Sequence, residues 1–321
     1  MTSTSAPLVL DRAQLARIQQ HLIAWFDAHG RDLPWRRTRD PYHVLVSEIM
    51  LQQTQVDRVR PKYAAFLQQF PSLEALAAAT PGDVIRAWAG LGYNRRALNL
   101  QRTAQAVLSE HDGRFPDTPE ALRNLPGIGP YTAGAVACFA FERDVAFMDT
   151  NIRRVIRRVF VGPDESAESS DRALLSIAEA AVPQGQGWAW NQAIMELGAL
   201  ICTAARPRCQ ICPLRSECRA YAAWRAADEA VFTYTPAPRP ARAVAERRTP
   251  FTSTSRYFRG RVVDALRQLP HHAWLPLAEL GPLVKPGWTP DEHDWLITLL
   301  RGLAADGLIE LDEAAQQARL P

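Results

Sequence analysis

Glu48 stands where its surroundings do not favour a charge. In the stretch SEIMLQQTQV (47–56) its helical neighbours are Val44 and Leu45 behind and Leu51 and Gln52 ahead. A buried acid costs free energy unless it is paired or neutral, and apolar neighbours raise a carboxyl pKa. Glu48 is therefore either a structural acid held by an arginine or a proton donor poised near neutral pH. A second acid, Asp149, opens DTNIRRV and is placed to cap a helix. Four thiols, Cys202, Cys209, Cys212 and Cys218, form a C-x6-C-x2-C-x5-C array. Cytoplasmic disulfides are rare, so this array reads as a metal site, and thiolates suit either zinc or an iron–sulfur cluster. The fifth cysteine, Cys138, lies in AGAVACFAF and reads as a packed residue.

The stretch NLPGIGPYTAGAVACFAF is the other chemistry-bearing segment. A helix is expected to end at Leu125. Gly127 and Gly129 then give backbone freedom, and Pro130 suits the first turn of the next helix. Such a turn presents N–H groups to an anion such as a DNA phosphate, and it serves equally as a plain tight turn between packed helices.

The elements that must carry these residues are mostly helical. LARIQQHLIAWFDAHG shows helical apolar spacing and ends at a glycine, and the pattern continues through DPYHVLVSEIMLQQTQVDRVRPKYAAFLQQF, where Pro61 is expected to start a new helix. Shorter amphipathic helices follow up to Leu125. Only brief stretches such as VFTYTP favour strand. Residues 10–222 read as one all-α assembly, 223–250 as a Pro-, Ala- and Arg-rich linker, and 251–321 as a small unit of three helices with a wing-like hairpin in LIELDEAAQQARL. Such a unit is either a winged-helix-like module or a small helical cap.

The chain has 321 residues, 47% hydrophobic and 22% charged, with a net charge of +3. That suits two or three compact globular units. No apolar run reaches the roughly 18–20 residues of a membrane span, and no secretory signal is evident, so a cytoplasmic protein is expected. Arginines cluster in NRRALNLQR, DTNIRRVIRRV and RYFRGRVV, as on a nucleic-acid surface or on a solvated face.

Taken together, the motifs resemble those of helix-hairpin-helix base-excision DNA glycosylases, most closely the MutY-type adenine glycosylases. PWR (34–36), SEIMLQQTQV, GLGY (90–93), LPGIGPYTAG, MDTN (148–151) and MELGALIC (195–202) carry the resemblance, over about residues 12–222. It implies two helical domains. One is a barrel of residues 33–139 carrying the hairpin, and the other joins 10–32 to 140–222 and holds a [4Fe–4S] cluster on the four cysteines. It also implies removal of adenine mispaired with 8-oxoguanine or guanine in double-stranded DNA, by a monomer associated with the bacterial nucleoid.

The resemblance assigns roles residue by residue. Glu48 protonates adenine N7 and handles the attacking water. Asp149 stabilises the sugar cation, with Asn151 ordering it. Tyr131 stands where bifunctional relatives such as endonuclease III carry a lysine, so no Schiff base forms and an abasic site is left. Trp35, Arg36, Leu51 and Glu196 match the adenine pocket. Gln52, Gln53, Thr54, Leu91 and Tyr93 match loops that wedge into the stack opposite the flipped base, although Leu91 and Tyr93 equally fit a core.

Two departures stand out. Familiar adenine glycosylases carry a C-terminal NUDIX-like domain that recognises 8-oxoguanine, and none is recognisable here. Asn94 in GLGYNRRA replaces the second tyrosine of the common GLGYY. Both bear on the preference for 8-oxoguanine over guanine and leave the adenine chemistry untouched. A mismatch thymine or uracil glycosylase tolerates Tyr131 but gives Glu48 no purine N7 to protonate. An endonuclease III-like pyrimidine lyase lacks its lysine. A catalytically silent, cluster-bearing DNA-binding protein has no need of both Glu48 and Asp149. The tail either adds a DNA contact through RYFRGR or docks a repair partner such as an abasic endonuclease or sliding clamp.

Overall fold

The structure is a computed structural model that describes residues 11–163, 170–227 and 250–321. In chain order the helices are α1 (Arg12–His29), α2 (Pro41–Leu51), α3 (Val56–Gln69), α4 (Leu73–Ala78), α5 (Pro81–Ala87), α6 (Arg95–Glu110), α7 (Pro119–Leu122), α8 (Pro130–Phe141), α9 (Thr150–Ile156), α10 (Asp171–Ala181), α11 (Gly187–Leu200), α12 (Arg219–Ala227), α13 (Ser255–Arg267), α14 (Leu277–Val284) and α15 (His293–Ala305). Strands β1 (Leu275–Pro276), β2 (Glu310–Asp312) and β3 (Gln317–Arg319) make one small antiparallel sheet in the order β1-β3-β2. Helix starts follow capping chemistry. Asp11, Ser72, Thr80, Asp149, Ser170 and Thr254 each accept a backbone N–H at the head of their helix.

The chain divides into two compact units. Among the described residues the first comprises 11–41, 117–122, 129–163 and 170–227, and the second 42–116, 123–128 and 250–321. Thus α8 groups with the first unit and the C-terminal module with the second, whereas the sequence expectation puts α8 in a 33–139 barrel and the module in a unit of its own. In the first unit α1 buries Ile18, Leu22 and Phe26 in one stripe, and α11 is buried along most of its length. Gly134 of α8 packs on Phe147, where a Cβ would lie 2.6 Å from the Phe147 Cβ. Cys138 is fully buried, as expected of a packed residue, and Asn191 Nδ2 lies 3.4 Å from its sulfur.

In the second unit Phe66 packs edge-on against both Phe70 and Trp88. Helix α6 turns Leu98, Leu100 and Ala104 inward, with the buried Gln101 amide donating to Leu76 and Ala79 carbonyls. The C-terminal module runs α13–β1–α14–α15–β2–β3, the order of a winged helix, with β2 and β3 as the wing. Its leucine-rich core takes in Ile85 of α5 and Leu98 of α6. The Pro321 carbonyl sits against Gly82, where any Cβ would collide.

Three local expectations need correction. Pro61 does not start a helix: α3 begins at Val56 and carries Pro61 in its second turn, at the cost of the bond to the Asp57 carbonyl. The helix before the hairpin ends at Leu122, three residues early, and 123–127 continue as turns. Only Gly127 needs glycine's freedom: its φ is +76°, and a Cβ there would lie 2.7 Å from the Asn99 Cβ. Gly129 has an ordinary φ of −88° as the N-cap of α8. The stretch VFTYTP and most of the expected linker lie outside the described residues.

Candidate active site

Glu48 lies on α2, eight of whose eleven residues are buried, and is itself 3% exposed. No residue of the helix is exposed, so its acid sits in an apolar environment. Its C-terminal carbonyls have a dedicated partner: Arg96, from α6, donates to the carbonyls of Ile49 (2.7 Å), Met50 (3.2 Å) and Gln52 (2.5 Å). The same guanidinium donates to Leu91 and Gly92 carbonyls, both at 3.1 Å, and to Thr54 Oγ1 at 3.3 Å. Arg96 thus ties the end of the Glu48 helix to both expected wedge loops. Burial lowers its pKa to about 10, with Tyr93 opposing, so it stays charged at neutral pH.

Those loops hold their residues differently. Gln53 and Tyr93 both take left-handed backbone, with φ +55° and +46°, which a non-glycine residue adopts at a cost. Gln53 is exposed and Tyr93 45% exposed, whereas Leu51, Gln52 and Thr54 are half-buried and Leu91 is 4% exposed. Of the two GLGY side chains, Tyr93 is the one turned to solvent. Asn94, which departs from the usual tyrosine, accepts from Arg267 Nη2 of α13 at 2.8 Å.

In the first unit Asp149 caps α9. Its Oδ1 accepts from the backbone N–H groups of Asn151 (2.9 Å) and Ile152 (2.7 Å), and its Oδ2 from Asn151 Nδ2 (3.0 Å). Three donors on one half-buried carboxylate fix its plane. Asn151 is held in turn by Arg154 Nη2 (2.9 Å), which also donates to the Gly198 carbonyl, while Arg154 Nε donates to the Cys202 carbonyl, both at 2.7 Å. A chain of hydrogen bonds therefore runs from Asp149 to the first cysteine. The half-buried Tyr131, on α8, packs edge-on to Phe147 at 5.4 Å.

Arg36 and Glu196 are brought together. Glu196 is 1% exposed and accepts four N–H donors: Arg31 N (2.9 Å), Nε (2.7 Å) and Nη2 (2.9 Å), and Arg36 Nη2 (2.8 Å). Burial alone would raise its pKa, but the Arg31 and Arg36 hydrogen bonds and the Arg36 charge hold it down to about 2. Four donors fill the acceptor capacity of a carboxylate, so Glu196 is spent on positioning the two arginines. Arg36 also donates to Gln192 Oε1 at 2.7 Å and stacks on Phe26, and Trp35 beside it is 7% exposed.

Cys202, Cys209, Cys212 and Cys218 line one small cavity, with Arg158, Tyr221 and Trp224 among its other walls. The Arg158 guanidinium, 1% exposed, lies 3.7 Å from the Cys202 sulfur. Burial, reinforced by the neighbouring thiols, pushes Cys209 and Cys212 up to about 12 and Cys218 to about 11. Among the described residues no group of three or more His, Cys, Asp or Glu is arranged to hold a single metal ion.

Arg96 and Arg154 lie in arginine clusters that look like solvated faces, and Arg31 stands outside any cluster or motif in the sequence. Periodicity carried a signal for one of them. Asn151, Arg154 and Arg158 recur at i, i+3 and i+7, one face of a helix, while Arg153 pairs outward with Asp171.

Comparison with known proteins adds the following. Residues 46–180 match the HhH-GPD superfamily base excision DNA repair protein family. An adenine DNA glycosylase of Mycolicibacterium smegmatis is 44% identical over 247 residues, covering 77% of this chain and 79% of that protein. One of Mycobacterium tuberculosis is 41% identical over 249 residues, covering 77% of each. The structure of a thermostable thymine-DNA glycosylase aligns with a TM-score of 0.61 at 32% identity, covering 66% of this chain and 98% of that one.

Proposed function

Since the chain belongs to the adenine DNA glycosylase family of the HhH-GPD superfamily, we propose that it excises adenine mispaired with 8-oxoguanine or guanine, that it is monofunctional, and that Glu48 and Asp149 carry the reaction. The enzyme acts in base excision repair on DNA. Releasing adenine by hydrolysis requires a proton for the leaving base, negative charge beside the sugar, and water.

In the proposed reaction the Glu48 carboxyl gives its proton to adenine N7. The C1′–N9 bond then breaks with its electron pair leaving on the base. The Asp149 carboxylate stabilises the cation left on the sugar. Water adds to C1′ and returns a proton to Glu48, which restores the acid. The observation that carries this reading is the burial of Glu48, 3% exposed on a helix with no solvated face. Asp149 supports it as a carboxylate whose orientation three N–H donors fix. Tyr131 supplies no amine for a Schiff base, so the product is an abasic site. Arg36, steadied by Glu196 and Gln192, contributes N–H donors for the base, with Trp35 and Leu51 as apolar walls. Gln52, Gln53, Thr54 and Tyr93 enter the stack, and the N–H groups at Gly127, Gly129 and the head of α8 hold a phosphate. At Gly129 a Cβ would meet nothing within 4 Å, which leaves that backbone open to close approach.

For the four cysteines the reading is a [4Fe–4S] cluster rather than zinc. The family resemblance is what favours the cluster, since thiolates alone suit either; the four cysteines surround one cavity, and the buried Arg158 guanidinium offsets negative charge there. When bound, such a cluster cross-links the 202–218 loop. Iron and sulfide content, with visible absorbance of the purified protein, tests this. For the chemistry, Glu48→Gln and Asp149→Asn are assayed in single turnover on adenine opposite guanine. Loss of excision with binding retained supports the roles given, and full activity in either variant removes that residue from the mechanism.

No helix of the described residues is long and apolar enough to cross a membrane.

A further inference from the structure

We propose that a groove in the second unit, walled on one side by α13 of the C-terminal module and on the other by the loops carrying Gln52, Gln53 and Tyr93, binds the sugar-phosphate backbone of DNA together with a stacked base. This makes the winged-helix-like module part of the substrate-binding surface. It rests on DNA being the substrate, and is independent of which base lies opposite adenine.

Charge is the first ground. The groove, about 880 Å³, is lined by five guanidiniums, those of Arg95, Arg96, Arg256, Arg259 and Arg261, against the carboxylates of Asp264 and Asp306. Both carboxylates are already engaged: Asp306 pairs with Arg259 and Arg95, and Asp264 with Arg267. The surplus is cationic and favours a polyanion.

Chemistry of the lining is the second ground. Arg256 is exposed and meets Tyr93 alone among the described contacts: its guanidinium lies 5.4 Å from the ring centroid and donates to the Tyr93 hydroxyl at 3.3 Å. Phe251, 61% exposed, packs edge-on to Tyr257 at the same groove. Exposed rings beside guanidiniums serve a nucleotide strand, whose bases stack while its phosphates pair. An acidic protein surface would use the charges and leave the rings idle.

Construction is the third ground. Arg267 of α13 donates to the Ile85 carbonyl at 3.0 Å and to Asn94 Oδ1 at 2.8 Å, and Arg86 returns a bond to the Arg267 carbonyl at 2.5 Å. The walls also share a hydrophobic core through Ile85 and Leu98. The groove is therefore held open by packing, with its aromatic wall, Tyr93, on strained backbone of φ +46°.

The test uses the full chain with its metal site filled. Fluorescence anisotropy gives affinities for a labelled duplex with adenine opposite guanine and for a fully paired duplex, at about 50–200 mM KCl. Arg256→Ala is expected to weaken binding to both duplexes about equally, roughly 3–10-fold, and to lower the slope of log K against log[salt] by about 0.9, one phosphate contact. Arg256→Lys is expected to restore the slope. Because Arg256 is exposed, the melting temperature of each variant checks folding. An unchanged slope in Arg256→Ala and in the charge-reversed Arg256→Glu overturns the proposal. So does displacement of the duplex by millimolar deoxyadenosine monophosphate only while Arg256 is present, which would assign the groove to a free nucleotide. A protein that excises no adenine yet shows the Arg256-dependent slope loses the proposed activity and keeps this site; the reverse result loses the site alone.

Discussion

Replacing Glu196 by glutamine tests how the Arg31–Glu196–Arg36 cluster is held. The carboxylate is 1% exposed, takes four N–H donors, and titrates near 2 instead of its ordinary 4.5. At 1.36 kcal/mol per unit this corresponds to roughly 3 kcal/mol of stability from the charged form. Because the folded pKa lies below the unfolded one, that contribution is complete above pH 4.5 and is lost as pH falls through 2. Glutamine keeps the shape but removes the charge, and it leaves Arg36, with a side chain 10% exposed, without its counter-ion. Urea unfolding followed by tryptophan fluorescence should place Glu196→Gln about 3 kcal/mol below the wild type at pH 7, with an unchanged urea slope. At pH 3, where the wild type has given up most of the benefit, the gap should shrink to about 1 kcal/mol. A gap that stays constant with pH, or no gap at pH 7, would refute the reasoning, since either result means that the charge on Glu196 does not hold the arginines.

Further outcomes follow from the same geometry. Asp149→Asn keeps a good helix cap, so the melting temperature should barely move while adenine excision falls at least about a hundredfold in single turnover. Tyr131→Lys places an amine on α8, and borohydride should then trap a covalent adduct with adenine-containing DNA that the wild type does not form. A double-mutant cycle of Asn94→Ala with Arg267→Ala should show a coupling of about 0.5–3 kcal/mol in thermal unfolding; additive effects would mean that the 2.8 Å bond between them does not brace the GLGY loop.

What the sequence disclosed depended on how local the signal was. The cysteine array, the Pro130 helix start and the Asp149 cap are written within a few residues, and the helical fold follows from apolar spacing. The module's hairpin was visible as two short strands, but β1 was not: it is two residues long, one of them proline, and exists only by pairing with Ala318 and Gln317 far along the chain. Tertiary context decided the arginines. Arg96 reaches five carbonyls, two at the end of α2 and three in the loops at Gln52 and Leu91–Gly92, and nothing in NRRALNLQR separates it from its exposed neighbour Arg95. Asn94 read as a departure from a motif until Arg267, 173 residues away, supplied its partner. Glu196 and Arg36 each lie in a legible motif, MELGALIC and PWR, but their pairing with each other and with Arg31 has no local signature.

The most direct measurement of the central claim is excision on four duplexes: adenine opposite 8-oxoguanine, adenine opposite guanine, thymine opposite guanine, and thymine glycol opposite adenine, each with and without alkali to cleave abasic sites. Alkali-dependent cleavage of the two adenine strands only is expected, with their ratio reporting the preference for 8-oxoguanine. Cleavage of thymine opposite guanine, or of any strand without alkali, would contradict this expectation.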